Sequence, residues 1–311
     1  MAASYRIPDM RKIFVLLIVT LICCGEAFSY PISPRPLRLL VSESKYIVVG
    51  YVTETFAKKK TKDEWGARVA RINVLEILQG EISDKQIELT FSPNMICPSP
   101  DRYTDKTFVI AFLDKEDGVY STHALSYGSK TLEHADIAVY KSRIFEMQQI
   151  LKIQDKIEQR RETIDWLVKC AENEATRWEG TYELSPYGDF MSDQPKLDKH
   201  GSRIGLSVSQ KERLKVALLA TRNIAKPDFD LVDLVYAGNA NTVDSFLIRG
   251  LKKLTGQDYW MADSFMHRLK HKSDSPETLK IIDEVGELAF EDDKHGRVKT
   301  LITKFLQLVD R

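Results

Sequence analysis

The chain is short of the patterns from which chemistry is most directly read. Its 311 residues contain no His-Glu-x-x-His, no Gly-x-Ser-x-Gly and no Gly-x-x-x-x-Gly-Lys. A zinc protease helix, a serine nucleophile elbow and a phosphate loop are therefore not encoded in their usual form. It also lacks excess charge of either sign: 45 basic and 45 acidic residues give a formal net charge of zero. No overall positive field draws in nucleic acid or an anionic membrane. Cysteine is scarce, at four residues, and no Asn-x-Ser/Thr glycosylation sequon occurs. What remains is an ordinary globular balance, 43% hydrophobic and 29% charged. That excludes a disordered or collagen-like chain, and the length suggests about two domains.

The clearest local signal is at the N-terminus. Arg11 and Lys12 precede an uninterrupted apolar run, Ile13 to Cys24, and Ala27-Phe28-Ser29 places small residues at the −3 and −1 positions of a signal-peptidase site. The run is shorter than the roughly 20 residues of a bilayer-spanning helix. Residues 1–29 therefore read as a signal peptide, with Tyr30 as the first mature residue. Met10 is an alternative initiator that makes the leader more compact, and a retained anchor is the competing reading. Without Arg6, Arg11, Lys12, Asp9 and Glu26, the mature chain holds 42 basic and 43 acidic residues, a net of −1. The expected location is exported: periplasmic, cell-envelope or extracellular, with no integral membrane segment after cleavage.

Export leaves two cysteines, Cys97 and Cys170. In an oxidising compartment they are candidates for one disulfide. Closing that span would stabilise the chain by about 4 kcal/mol in the chain-entropy picture. Two separate buried thiols are the alternative. Neither cysteine has the setting of a nucleophile.

Residues 30–135 carry strand patterning. Tyr46–Phe56 is rich in β-branched and aromatic residues. Ala67–Leu78 alternates, with a slip between Val69 and Ile72 that suggests a bulge. Ile87–Phe91 alternates cleanly, Thr107–Leu113 reads as a buried strand, and Gly118–Leu125 follows the turn Glu116-Asp117-Gly118. Five strands with short turns and no crossover helix predict a small antiparallel barrel or sandwich. Residues 136–175 form an amphipathic helical segment expected to pack on it, with a break near Glu158–Glu162. Residues 176–208, rich in proline and glycine from Gly180 to Gly205, read as an irregular linker. Residues 209–311 are helical again. A capping box is expected at Ser209–Glu212, and helix starts near Ser209, Thr242 and Ser275 are 33 residues apart. That interval suits solenoid-like helical pairs, and a non-repeating bundle is the alternative. The expected fold class is thus α+β.

A family resemblance rests on the strand region. Val48-Val49-Gly50-Tyr51-Val52-Thr53, then Val74-Leu75-Glu76-Ile77-Leu78-Gln79-Gly80, then Ile87–Phe91, Ile96-Cys97-Pro98 and Phe108–Leu113 follow one another in the order of a netrin-like domain. This is the OB-type β-barrel of the tissue inhibitors of metalloproteinases and their bacterial relatives. The resemblance covers about residues 38–130 and implies an OB-like barrel. Inhibitors of this family bind protease zinc through an N-terminal cysteine. Here the mature chain begins Tyr30-Pro31-Ile32, so the inhibitory wedge has no matching residue.

The remaining polar features have modest expectations. His267 and His271 share a helical spacing that could hold zinc, but Arg268, Lys270 and Lys272 surround them and a solvated face is the better reading. His123 reads as a barrel-face residue. Asp63-Glu64 beside Trp65 suggests a carbohydrate subsite or, more simply, a hairpin tip, and the Lys58–Lys60 cluster with Lys62 is part of that tip. Trp178 to Tyr182 places aromatics where they could pack across a domain boundary or line a groove. No catalytic residues, cofactor or metal are assigned. The expected function is a non-enzymatic binding protein with an unknown protein partner and a helical protein-binding region. The alternative is a secreted inhibitor of a metalloproteinase-type hydrolase that acts without the cysteine wedge.

Overall fold

The computed structural model describes residues 33–58, 66–94, 100–185, 197, 204–254, 259–273, 275–288 and 295–310. The protein is α+β: a six-stranded antiparallel sheet accompanied by ten α-helices among the described residues. Residues 1–29, the Lys59–Trp65 tip and Cys97 lie outside the described residues. Among the described residues no helix is long and apolar enough to cross a membrane.

Helix α1 (Leu37–Glu43) precedes the sheet. The strands are β1 (Tyr46–Ala57), β2 (Arg68–Gln79), β3 (Gln86–Phe91), β4 (Phe108–Glu116), β5 (Val119–Thr122) and β6 (Ser129–Leu132). Their order is β3-β2-β1-β4-β5, with β6 also paired to β4. The hydrogen-bonded ladder is open. The edge strands β3 and β5 nevertheless approach within 8 Å of each other. The expected bulge is present, but the unpaired residue is on β1: Val52 faces Ile72 and Glu54 faces Arg71, leaving Thr53 between them. Asp117 and Gly118 both take positive φ, 48° and 81°, in the β4–β5 turn. Such a two-residue turn suits the sheet's twist, and the Asp-Gly pair tolerates the conformation.

The sheet is buried on both faces, which is why β1 and β4 read as nearly continuous apolar runs. Val48, Val52, Val109, Ala111 and Leu113 face an inner cluster with Ile72, Leu89 and Phe91. Ile47, Val49, Ile110 and Phe112 face outward into a second cluster that continues through the helices. That outer face is covered by α1 and by α2 (His134–Ile150) and α3 (Lys156–Glu172).

The break between α2 and α3 is at residues 151–155, not at Glu158–Glu162. Asp155 sets it: its Oδ1 accepts from the amides of Ile157 and Glu158 at 2.8 and 2.9 Å, an N-cap that starts α3. Residues 177–184, expected within the irregular linker, form α4 (Arg177–Leu184). The helix escaped notice because its buried face is polar, with Arg177, Glu179, Thr181 and Glu183 all buried. Gly180 is its contact point. A Cβ there would lie 2.2 Å from the Leu167 carbonyl oxygen and 2.5 Å from the Ala171 nitrogen, so glycine lets α4 lie directly on the α3 backbone.

Six further helices follow: α5 (Val208–Ala220), α6 (Lys226–Val235), α7 (Ala240–Lys253), α8 (Tyr259–Leu269), α9 (Pro276–Leu288) and α10 (His295–Val309). The capping box exists two residues earlier than expected, with Ser207 and Gln210 exchanging bonds of 3.2 and 2.9 Å. Three helical hairpins result, α5/α6, α7/α8 and α9/α10, with start-to-start spacings of 32 and 36 residues. Their second helices form a column with α4. Arg177 of α4 pairs with Asp228 of α6. Phe229 of α6 meets Phe265 of α8 edge-on at 5.0 Å, and Arg268 of α8 bonds Asp233 of α6 at 2.8 and 3.0 Å. Helix α8 in turn packs on α10. In the outer column Arg213 of α5 reaches Glu172 of α3 at 2.5 Å.

Candidate functional site

Most charged side chains with burial or close partners serve the framework. Glu179, on α4, is 2% exposed. Its carboxylate accepts from the Leu37 amide at 2.7 Å and the Tyr140 hydroxyl at 3.3 Å, and pairs with Lys130 at 2.8 Å. A buried carboxylate needs such compensation, since an unpaired one loses several kcal/mol of hydration. Glu183 receives Arg38 in a two-pronged pair at 2.9 and 2.8 Å. Together these tie α1, α2 and β6 to α4. Trp178 belongs to the same junction. It stacks on Tyr127 at 5.7 Å, meets Tyr182 at 5.2 Å and lies under Lys130 at 5.2 Å. The aromatics of this segment therefore pack between the sheet and the helices.

Cys170 sits beside this junction with a fully buried, free thiol. Burial pushes it well above the usual thiol range, and the Glu179 charge adds to that. It is held as an inert core residue. Cys97 lies outside the described residues, so the Cys97–Cys170 bond is not part of the described structure. Tyr140 is raised by burial and then by Glu179. At the inner cluster, the Tyr103 hydroxyl meets Thr122 at 2.6 Å, and Thr122 donates to Asp101 at 2.5 Å. Burial raises both Asp101 and Tyr103.

The histidines are used singly. His123 lies just beyond β5 and bridges Asp114 at 2.7 Å and Glu43 at 3.3 Å, linking the sheet to α1. His267 and His271 do not converge. His267 pairs with Asp263 at 3.2 Å. His271 falls in the turn after α8, where Nε2 meets Asp244 at 3.0 Å and the Tyr236 hydroxyl at 2.8 Å. Among the described residues no group of three His, Cys, Asp or Glu side chains is placed to hold a metal.

One feature differs from these closed clusters. A cleft of about 660 Å³ opens between the first two hairpins, bounded by the end of α5, the α5–α6 connection, α7 and α8. Phe246, Met261 and Phe265 form its buried floor, and Leu219, Ile224 and Leu254 form half-buried walls. Arg222, Arg249 and Lys253 stand exposed at its rim. Among the described residues, none of these three cations has an ion-pair or hydrogen-bond partner. Among the described residues no carboxylate lines the cleft. An anion with an apolar portion is the complement of such a surface.

The apolar part of this cleft was legible: Phe246 and Gly250 lie on one stripe of α7, and Leu254, just past its end, continues it. The Arg249–Lys253 spacing of one helical turn is also visible in sequence. Arg222 follows a different helix and joins them only through the fold. No protein-family model and no curated protein matches the chain.

Proposed function

We propose that this is an exported, non-enzymatic binding protein in which a netrin-like, OB-type module carries a solenoid-like helical region that binds a protein partner. The observation that carries the reading is the cleft between consecutive hairpins, whose exposed cations have no partner among the described residues, while the buried charges of Arg177, Glu179, Glu183 and Asp228 are paired within the fold. Charges left uncompensated beside apolar walls on a rigid stack are suited to an external ligand. The OB-type reading is supported by the central position of β1 between β2 and β4 and by the approach of β3 to β5. The solenoid reading is supported by three hairpins whose second helices share one column. The N-terminal leader supports export.

A photo-crosslinking side chain placed at Arg249 of the exported chain should capture a defined protein partner. The same group at Val119, exposed on the sheet, should not. Equal capture from both positions, or none, would remove the helical region as the binding surface. Suppression of a metalloproteinase by the purified protein would favour the inhibitor instead.

A further inference from the structure

We propose that the cleft binds an acidic peptide segment of the partner. Its carboxylates would pair with Arg222, Arg249 and Lys253, and a neighbouring apolar side chain would rest against Leu219, Ile224 and Leu254. This inference rests on the reading of the helical region as a protein-binding surface. Electrostatics give the sign. The ends of α5 and α7 bring helix C-termini to the cleft, each equivalent to about half a negative charge. Three full cations outweigh them, leaving a net of about +2 among the described residues, where no acidic side chain intervenes. The two guanidinium groups can each grip a carboxylate with two parallel bonds, which adds geometry to attraction.

The walls select among anions. Free inorganic ions gain nothing from Leu219, Ile224 and Leu254, which remain half-buried without a cover. A single-stranded nucleic acid gains from exposed aromatic platforms, and the described aromatics of the cleft, Phe246 and Phe265, are only 5% and 0% exposed. A membrane would meet a convex amphipathic face, whereas these cations rim a recess between helices. A peptide alternating carboxylates with branched apolar side chains satisfies both rim and wall. Its binding should weaken with salt, because the cations are solvent-exposed.

The test uses the full chain and a fluorescein-labelled peptide of alternating Glu and Leu, followed by anisotropy. Two controls replace its Glu by Gln or its Leu by Ser. The R222Q/R249Q/K253Q variant should lose at least about tenfold in affinity, and the native protein should reject both control peptides by a similar factor. A variant with the same charge change elsewhere, K270Q/K280Q/K299Q, alters three exposed lysines outside the cleft and should bind as the native chain does. Equal weakening by both variants would reduce the effect to general electrostatics and overturn the proposal. Absence of native binding at about 1 mM peptide would do the same. Phosphatidylglycerol vesicles retained by the native chain and released by the cleft variant, without peptide binding, would assign the cleft to lipid and overturn it as well. If the crosslinked partner persists in the cleft variant, this proposal falls while the protein-binding reading stands. If no partner is captured, the broader reading falls on its own evidence.

Discussion

Gly180→Ala tests whether α4 is seated on α3 as closely as the geometry requires. In most helix interiors this change stabilises, by about 0.5–1 kcal/mol, because alanine restricts the unfolded chain and suits the helix. At Gly180 the new methyl would stand 2.2 Å from the Leu167 oxygen and 2.5 Å from the Ala171 nitrogen. Both are backbone atoms and cannot rotate away. Helices α3 and α4 would have to separate by roughly 1 Å, loosening a packed interface of the kind where overpacking costs about 1–3 kcal/mol. That interface includes Trp166, Cys170 and Leu184, all buried. The net expectation is a loss of about 1–2 kcal/mol once the propensity gain is subtracted. For a chain of this size it lowers the melting temperature by several degrees. The control is Gly286→Ala on α9, where a Cβ meets nothing within 4 Å. There only the propensity gain operates, so stability should rise by up to about 1 kcal/mol. Thermal and urea unfolding followed by circular dichroism would measure both variants. If Gly180→Ala is as stabilising as Gly286→Ala, the close seating of α4 is wrong.

Four further outcomes are expected. Asp228→Ala strands the Arg177 guanidinium, 4% exposed, and should cost about 3–5 kcal/mol, whereas the double change Arg177→Met with Asp228→Leu should cost less than the sum of the single changes; urea titrations supply the cycle. At alkaline pH, Cys170, Tyr103 and Tyr140 stay protonated in the folded protein because burial raises them. The unfolded chain then binds fewer protons, so stability should be complete below about pH 8.5. It should fall above that for Cys170 and above about pH 10 for the tyrosines, by about 1.4 kcal/mol per pH unit for each group; a flat alkaline limb in denaturation at stepped pH would contradict the burial. Cys170 should resist thiol reagents in the native protein and react after unfolding without reductant; no reaction after unfolding, read by mass spectrometry, would point to a bond with Cys97. Intact-mass measurement of the secreted protein should find Tyr30 as its first residue, and a form retaining residues 13–29 would refute cleavage.

Strands and amphipathic helices were legible where a residue's burial follows from its own polarity. The run Phe108–Leu113 and the alternation Ile87–Phe91 identify β4 and β3 directly, and the Asp117-Gly118 pair marks their neighbour's turn. Elements escaped where that link fails. Strand β6 is the short polar sequence Ser129–Leu132, held by its pairing to β4. Helix α4 buries glutamates and an arginine, which periodicity assigns to solvent. Its charges are tolerable only because Arg38, Lys130 and Asp228 arrive from distant parts of the chain.

The candidate cleft divides in the same way. Helical spacing alone sets the apolar stripe of α7 and puts Arg249 and Lys253 one turn apart. Only the stacking of α5, α7 and α8 brings Arg222 to the same rim, because that contact crosses a connection whose course no local pattern specifies. The same stacking leaves these cations without a partner among the described residues. The two histidines make the converse case: their four-residue spacing was readable, but the end of α8 at Leu269 turns His271 toward Asp244 and leaves His267 with Asp263. Sequence thus determined which segments could become helices and strands, since that depends on neighbours along the chain. Tertiary structure decided which charges are paired within the fold and which stand exposed on its surface, since that depends on partners far away in sequence.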